Sequence, residues 1–119
     1  MKDIEPKVFR QRLLVEAKID IKVTESVVED YLRKLAEHLE LRIYGNPVVY
    51  STSDTGGKEI NQGFDGFVPL IDSGISISVW SSVKFIVVLI HTCKRFEVNR
   101  ALDFTKTFFR ATEIVHKEF

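Results

Sequence analysis

Three residues with nucleophilic or acid–base chemistry stand within a short stretch of this 119-residue chain: Ser73, His91 and Cys93. A serine hydroxyl or a cysteine thiolate can act as a nucleophile, and an imidazole with a pKa of about 6.5 can accept a proton. Their spacing lets them meet. The short connection over 81–83 predicts a hairpin, and pairing Trp80 with Lys84 places Ser73 opposite His91, with Cys93 as its diagonal neighbour. Diagonal cross-strand positions lie about 7–8 Å apart, close enough for both side chains to touch one small ligand. Trp80 is seven residues from Ser73 on the same strand, about 23 Å at about 3.3 Å per residue, so one chain cannot bring both to one ligand. Each residue also has a plainer role. A lone cysteine serves as a small core hydrophobe, a serine before glycine as a turn residue, a strand histidine as a hydrogen-bonded rim group, and a tryptophan as packing.

The elements that position these residues are legible from periodicity. From Leu13 to Val23 every odd position is apolar, with Glu16, Lys18, Asp20 and Lys22 between, which predicts a strand. Thr24 or Ser26 can cap a following helix over 25–40, Ser26 and Glu29 resembling a capping box, with Val28, Leu32, Leu35, Ala36 and Leu39 as its apolar stripe. Residues 41–44 and 48–51 read as strands interrupted by Gly45-Asn46-Pro47, and 52–63 as a polar loop. Phe64 to Asp72 reads as a strand that Pro69 confines to an edge or bulge, broken at Ser73-Gly74. Then Ile75, Ile77 and Val79 face one way and Ser76, Ser78 and Trp80 the other, while Lys84 to Cys93, apolar on both faces, reads as a central strand. A helix over 97–110 and a strand from Thr112 complete the chain. This order predicts an α+β two-layer sandwich in a single domain over 1–119, an antiparallel sheet with helices on one face, built from two similar halves.

Composition narrows the function. Seventeen Lys and Arg balance seventeen Asp and Glu with no run of four like charges, so neither nucleic acid nor a membrane surface is an expected partner. The longest apolar run, Phe85 to Ile90, is far short of the roughly 20 residues that cross a bilayer. The first six residues include three charged ones, Lys2, Asp3 and Glu5, and lack the apolar core of a secretion signal, which predicts a cytoplasmic protein. Cys93 is the single cysteine, so no intrachain disulfide can form, and the histidines are too scattered for a metal site; no metal is expected.

The run Asp72-Ser73-Gly74-Ile75-Ser76-Ile77-Ser78-Val79-Trp80, followed by Thr92-Cys93, resembles the core of the prokaryotic S-adenosylmethionine decarboxylases, which are pyruvoyl-dependent. Their pattern is Glu-Ser-His, a few strand residues, His-Thr-Trp-Pro-Glu, then Phe-Thr-Cys-Gly, and Cys93 keeps its spacing from Ser73. The likeness runs without gaps from about 66 to 109 and more loosely through the first strand and helix. It implies an S-adenosylmethionine decarboxylase-like fold in which Ser73 attacks the carbonyl of Asp72, the ester eliminates, and Ser73 becomes a pyruvoyl group with no external cofactor. It also implies that Cys93 is the acid that protonates the substrate carbon, that Trp80 binds substrate, and that sites are shared across a homodimer.

The departures fall on the self-cleaving residues. Ser78 stands where the resemblance implies a proton-accepting histidine, and a hydroxyl is a far poorer base. Asp65, beside the retained Gly66, stands where a serine steadies the intermediate, and a carboxylate opposes a developing oxyanion. Asp72 replaces glutamate, Gly74 replaces histidine, and Ser81-Ser82 replaces Pro-Glu, so Ser82 sits where a carboxylate would grip the substrate ribose. The resemblance therefore implies a non-processing relative in the polyamine (spermidine) pathway family, binding a small molecule such as S-adenosylmethionine or regulating an active decarboxylase paralogue. A second reading is a working decarboxylase in which Asp65 or His91 takes over proton transfer. A third is an interaction module without a ligand.

Overall fold

The computed structural model describes residues 1–52 and 59–119, so part of the expected 52–63 loop lies outside the described residues. The chain runs β1 (Gln11–Lys18), α1 (Glu25–His38), β2 (Val48–Ser51), a 3-10 turn (Glu59–Asn61), β3 (Gly63–Leu70), β4 (Ser73–Trp80), β5 (Phe85–Thr92), α2 (Val98–Phe109) and β6 (Glu113–Glu118). The six strands form one antiparallel sheet in the order β2-β3-β4-β5-β1-β6.

Both helices lie on one face, as the alternation requires. Leu13, Val15 and Ala17 of β1, Val68 and Leu70 of β3, Ile75, Ile77 and Val79 of β4, and Ile86, Val88 and Ile90 of β5 are buried beneath them. Their intervening neighbours, among them Leu14, Phe67, Ser76, Ser78, Val87 and Leu89, form a second face that no element covers among the described residues. Helix α1 packs directly over Gly66, where a Cβ would stand 2.7 Å from a Val28 methyl. Side-chain size at that position fixes how tightly helix and sheet can pack.

Local differences from the periodicity have identifiable causes. The alternation of 13–23 ends as a ladder at Lys18, because β5 begins opposite it at Phe85. Ile19 stays buried beyond that point, its N–H donating to the Lys84 carbonyl and that of Asp20 to Phe109. Thr24 is the cap of α1, its hydroxyl accepting the Val27 N–H at 3.3 Å. Residues 41–44 contribute only the bridge between Ile43 and Leu70. Pro69 lies on an interior strand rather than an edge, but at the point where the β2 ladder over 64–67 gives way to the looser 41–44 segment, which donates the Tyr44 N–H to the Pro69 carbonyl at 2.9 Å and asks no N–H of the proline. The chain breaks at Ile71-Asp72, two residues before the expected break at Ser73-Gly74, and Ser73 already pairs with Leu70 as the first residue of β4.

The helices are joined by a buried polar contact. The Tyr31 and Thr105 hydroxyls lie 2.7 Å apart, and Tyr31 packs against Phe104, Phe108 and Phe109. Burial pushes the Tyr31 phenol well above its usual pKa, so it stays neutral. Thr105→Val is expected to lower stability by about 1–3 kcal/mol, because the phenol loses its partner without regaining water. Adding Tyr31→Phe should recover part of that loss, as measured by denaturant unfolding of both variants.

Candidate active site

Residue 72 is gripped from both sides. Its carboxylate is nearly inaccessible and accepts hydrogen bonds from the Arg42 backbone N–H at 3.1 Å and the Arg42 guanidinium at 2.9 Å. These bonds hold the Asp72 carboxyl below the usual aspartate range, against the upward push of burial. On the other side the Asp72 carbonyl accepts the backbone N–H of Cys93 at 2.9 Å. Cys93 is placed for this by Thr92, buried at the end of β5, whose hydroxyl donates to the Lys94 carbonyl at 2.6 Å and tightens the turn. The Cys93 thiol itself is exposed.

Ser73 follows with φ of 125°, a backbone conformation that suits glycine and is strained for a residue with a Cβ. Among the described residues no hydrogen bond engages its hydroxyl. The expected pairing is displaced by one residue. Trp80 pairs with Phe85, so Ser73 lies opposite Thr92, and His91 lies opposite Gly74. The cause is a four-residue turn, Ser81 to Lys84, closed by the Lys84 N–H on the Ser81 carbonyl, with Lys84 left-handed at φ 51°. Cys93 consequently meets residue 72 through its backbone. His91 is exposed on the uncovered face, where a Cβ on Gly74 would stand 3.6 Å from its ring and 2.7 Å from that of Phe67.

The remaining candidates gather at the opposite end of β4. Asp65 pairs directly with Ser78, and together with Trp80, Asn61, Phe64 and Thr52 they line a cavity of about 290 Å³. The Trp80 indole donates to the Asn61 side-chain carbonyl at 3.2 Å and packs against Phe85 with ring centres 5.5 Å apart. Ser82 sits exposed in the 81–84 turn. Ser78 is five residues from Ser73, about 17 Å along a strand, and Trp80 about 23 Å. The structure therefore brings together Ser73, Asp72 and Cys93 at one end of the sheet, and Asp65, Ser78 and Trp80 at the other.

These two clusters sit on a fold with known relatives. A family model described as S-adenosylmethionine decarboxylase matches residues 14–119. This chain belongs to the S-adenosylmethionine decarboxylase family. The fold is similar to the crystal structure of the adenosylmethionine decarboxylase from Aquifex aeolicus, with a TM-score of 0.74 at 20% identity over 95% of this chain and 90% of that one. No match was found among curated protein sequences.

Arg42, Asn61 and the Cys93 backbone N–H were not visible as site groups in the sequence. Arg42 lies in a strand-like run thirty residues before its partner, and nothing in its local pattern marks it. Because its partner's pKa is lowered on folding, the pair stabilises the protein above the ordinary aspartate value of about 3.9. That contribution fades as pH falls through the lower, folded value. Arg42→Met is therefore expected to be less stable than the parent at neutral pH, with the difference narrowing below about pH 4. Denaturant unfolding across that range measures it.

Proposed function

We propose that this chain is a non-processing member of its family, a homodimer that binds S-adenosylmethionine or a closely related organic cation at two composite sites. Each site joins the Ser73 and Cys93 end of one copy to the Asp65, Ser78 and Trp80 end of the other. The observation that carries the reading is the direct pairing of Asp65 with Ser78. A carboxylate and a hydroxyl occupy the two positions where the family resemblance implies a hydroxyl and an imidazole. The residues at those positions do not fit the making of a pyruvoyl group, since neither can take a proton as an imidazole does at neutral pH.

The same residues suit binding. An exposed carboxylate beside an indole, in a cavity with the Asn61 amide, favours a positively charged ligand with a planar portion. Composite sites need a second copy because the two clusters stand about 17–23 Å apart on one strand. The uncovered sheet face, with Leu14, Phe67, Val87 and Leu89 at its centre, is the surface a second copy would cover. A second reading, an active pyruvoyl-dependent decarboxylase using His91 as the base, is favoured by one observation. The His91 ring lies beside Gly74, the residue after Ser73.

Intact-mass measurement separates the two readings. The non-processing reading expects one species of 13.7 kDa. Spontaneous fragments divided between Asp72 and Ser73, the second capped by a keto acyl group, would establish the active enzyme. Trp80 is the single tryptophan, so its fluorescence should change saturably on titration with S-adenosylmethionine. Asp65→Asn should weaken that binding by about tenfold, equivalent to about 1.4 kcal/mol. No saturable change in fluorescence or calorimetry would leave the chain an interaction module. Ser78→His alone is expected to leave the chain whole, because Asp65 still opposes negative charge at the intermediate; Ser78→His with Asp65→Ser should yield some cleavage, read on a denaturing gel.

A further inference from the structure

We infer that a cleft on the helix-covered side of the sheet, between residues 19–23 and the 81–84 turn, binds a small amphiphilic anion, an aliphatic chain ending in a carboxylate. The inference is independent of whether the chain processes itself. Its origin is the alternation of 13–23, which outlasts the strand it forms. The ladder between β1 and β5 ends where Lys18 meets Phe85, yet apolar residues continue at 19, 21 and 23. Ile19 is buried and tied by its N–H to the Lys84 carbonyl, whereas Ile21 and Val23 are only half-buried. Across from them stand Phe64 and Val79, paired across β3 and β4 on the core side. These five residues wall a cavity of about 360 Å³, within the range of roughly 300–1,000 Å³ that small-molecule sites occupy.

The charged groups that line this cavity are of one sign. Lys22 and Lys84 both contribute to it and are themselves exposed, an arrangement in which the apolar stem lies along a wall and the ammonium stays in water at the mouth. Lys84 is fixed in place by its left-handed φ of 51°, by its N–H on the Ser81 carbonyl and by its own carbonyl, which accepts the Ile19 N–H. Lys22 has no ion-pair partner among the described residues, and Lys84 has a long one, 3.7 Å from the exposed carboxylate of Asp20. Two ammonium groups less one carboxylate leave a single positive charge, which matches a singly charged anionic head. Walls of branched aliphatic side chains with one aromatic ring suit an alkyl chain, whose burial supplies the driving force. The larger cleft between the helices, about 480 Å³ beside Phe104 and Phe108, shows no such preference, because Asp103 opposes Lys34 in its lining.

Titration of the full-length chain with octanoate, below the concentration at which it forms micelles, tests this by calorimetry and by NMR of the methyl groups. Saturable binding at one site is expected, with shifts concentrated on Ile19, Ile21, Val23 and Val79. Lys22→Gln combined with Lys84→Asn, in which asparagine tolerates the left-handed φ, should weaken binding about fivefold, and Asp20→Asn should strengthen it about twofold by releasing Lys84. Octan-1-ol or octylamine binding as tightly as octanoate would overturn the inference. So would shifts centred on Phe104 and Phe108, or heat that never saturates.

Discussion

The hydrogen bond from the Cys93 N–H to the Asp72 carbonyl joins the tip of the β3–β4 hairpin to the end of β5. Everything distinctive about the site depends on that junction. A two-residue loop leaves little freedom, and with the Asp72 carboxylate locked by Arg42 the strain is concentrated at Ser73. Such a conformation persists only where its surroundings over-determine it, and three separate chain segments meet here to do so. The interactions are mutually supporting, since the turn after β5 that aims the Cys93 N–H is itself closed by the buried Thr92 hydroxyl.

The sheet extends this constraint into a division of labour. One end presents a strained serine, a backbone donor and a thiol; the other presents a carboxylate, a hydroxyl and an indole around a shallow cavity. Strand geometry keeps them apart within a chain, whereas two copies apposed on their uncovered faces would bring unlike ends together. The two helices secure the other face through Tyr31 and Thr105, and no described element covers the site-bearing face.

The architecture was largely readable from alternation. Odd positions in β1 and β4 marked the core side, the two-sided apolar run marked β5 as interior, and the apolar stripe of α1 marked its buried face. The S-adenosylmethionine decarboxylase resemblance, carried by Ser73, Trp80, Thr92 and Cys93, agrees with the family model and the fold. What the pattern could not supply was register and backbone state. Whether the 81–84 turn takes three residues or four depends on Lys84 adopting a left-handed φ, which a lysine does not advertise. That one residue moved His91 from Ser73 to Gly74 and brought the Cys93 backbone to Asp72. Arg42 was invisible for a related reason, since its partner is distant in sequence and charge pairing across a fold leaves no periodic trace.

The most direct test of the account is a scalar coupling measured by NMR across the hydrogen bond between the Cys93 amide nitrogen and the Asp72 carbonyl carbon. The account expects a resolved coupling and a slowly exchanging Cys93 amide in a single uncut chain. A Cys93 amide that exchanges freely with no coupling, or a keto carbon signal at residue 73, would contradict it.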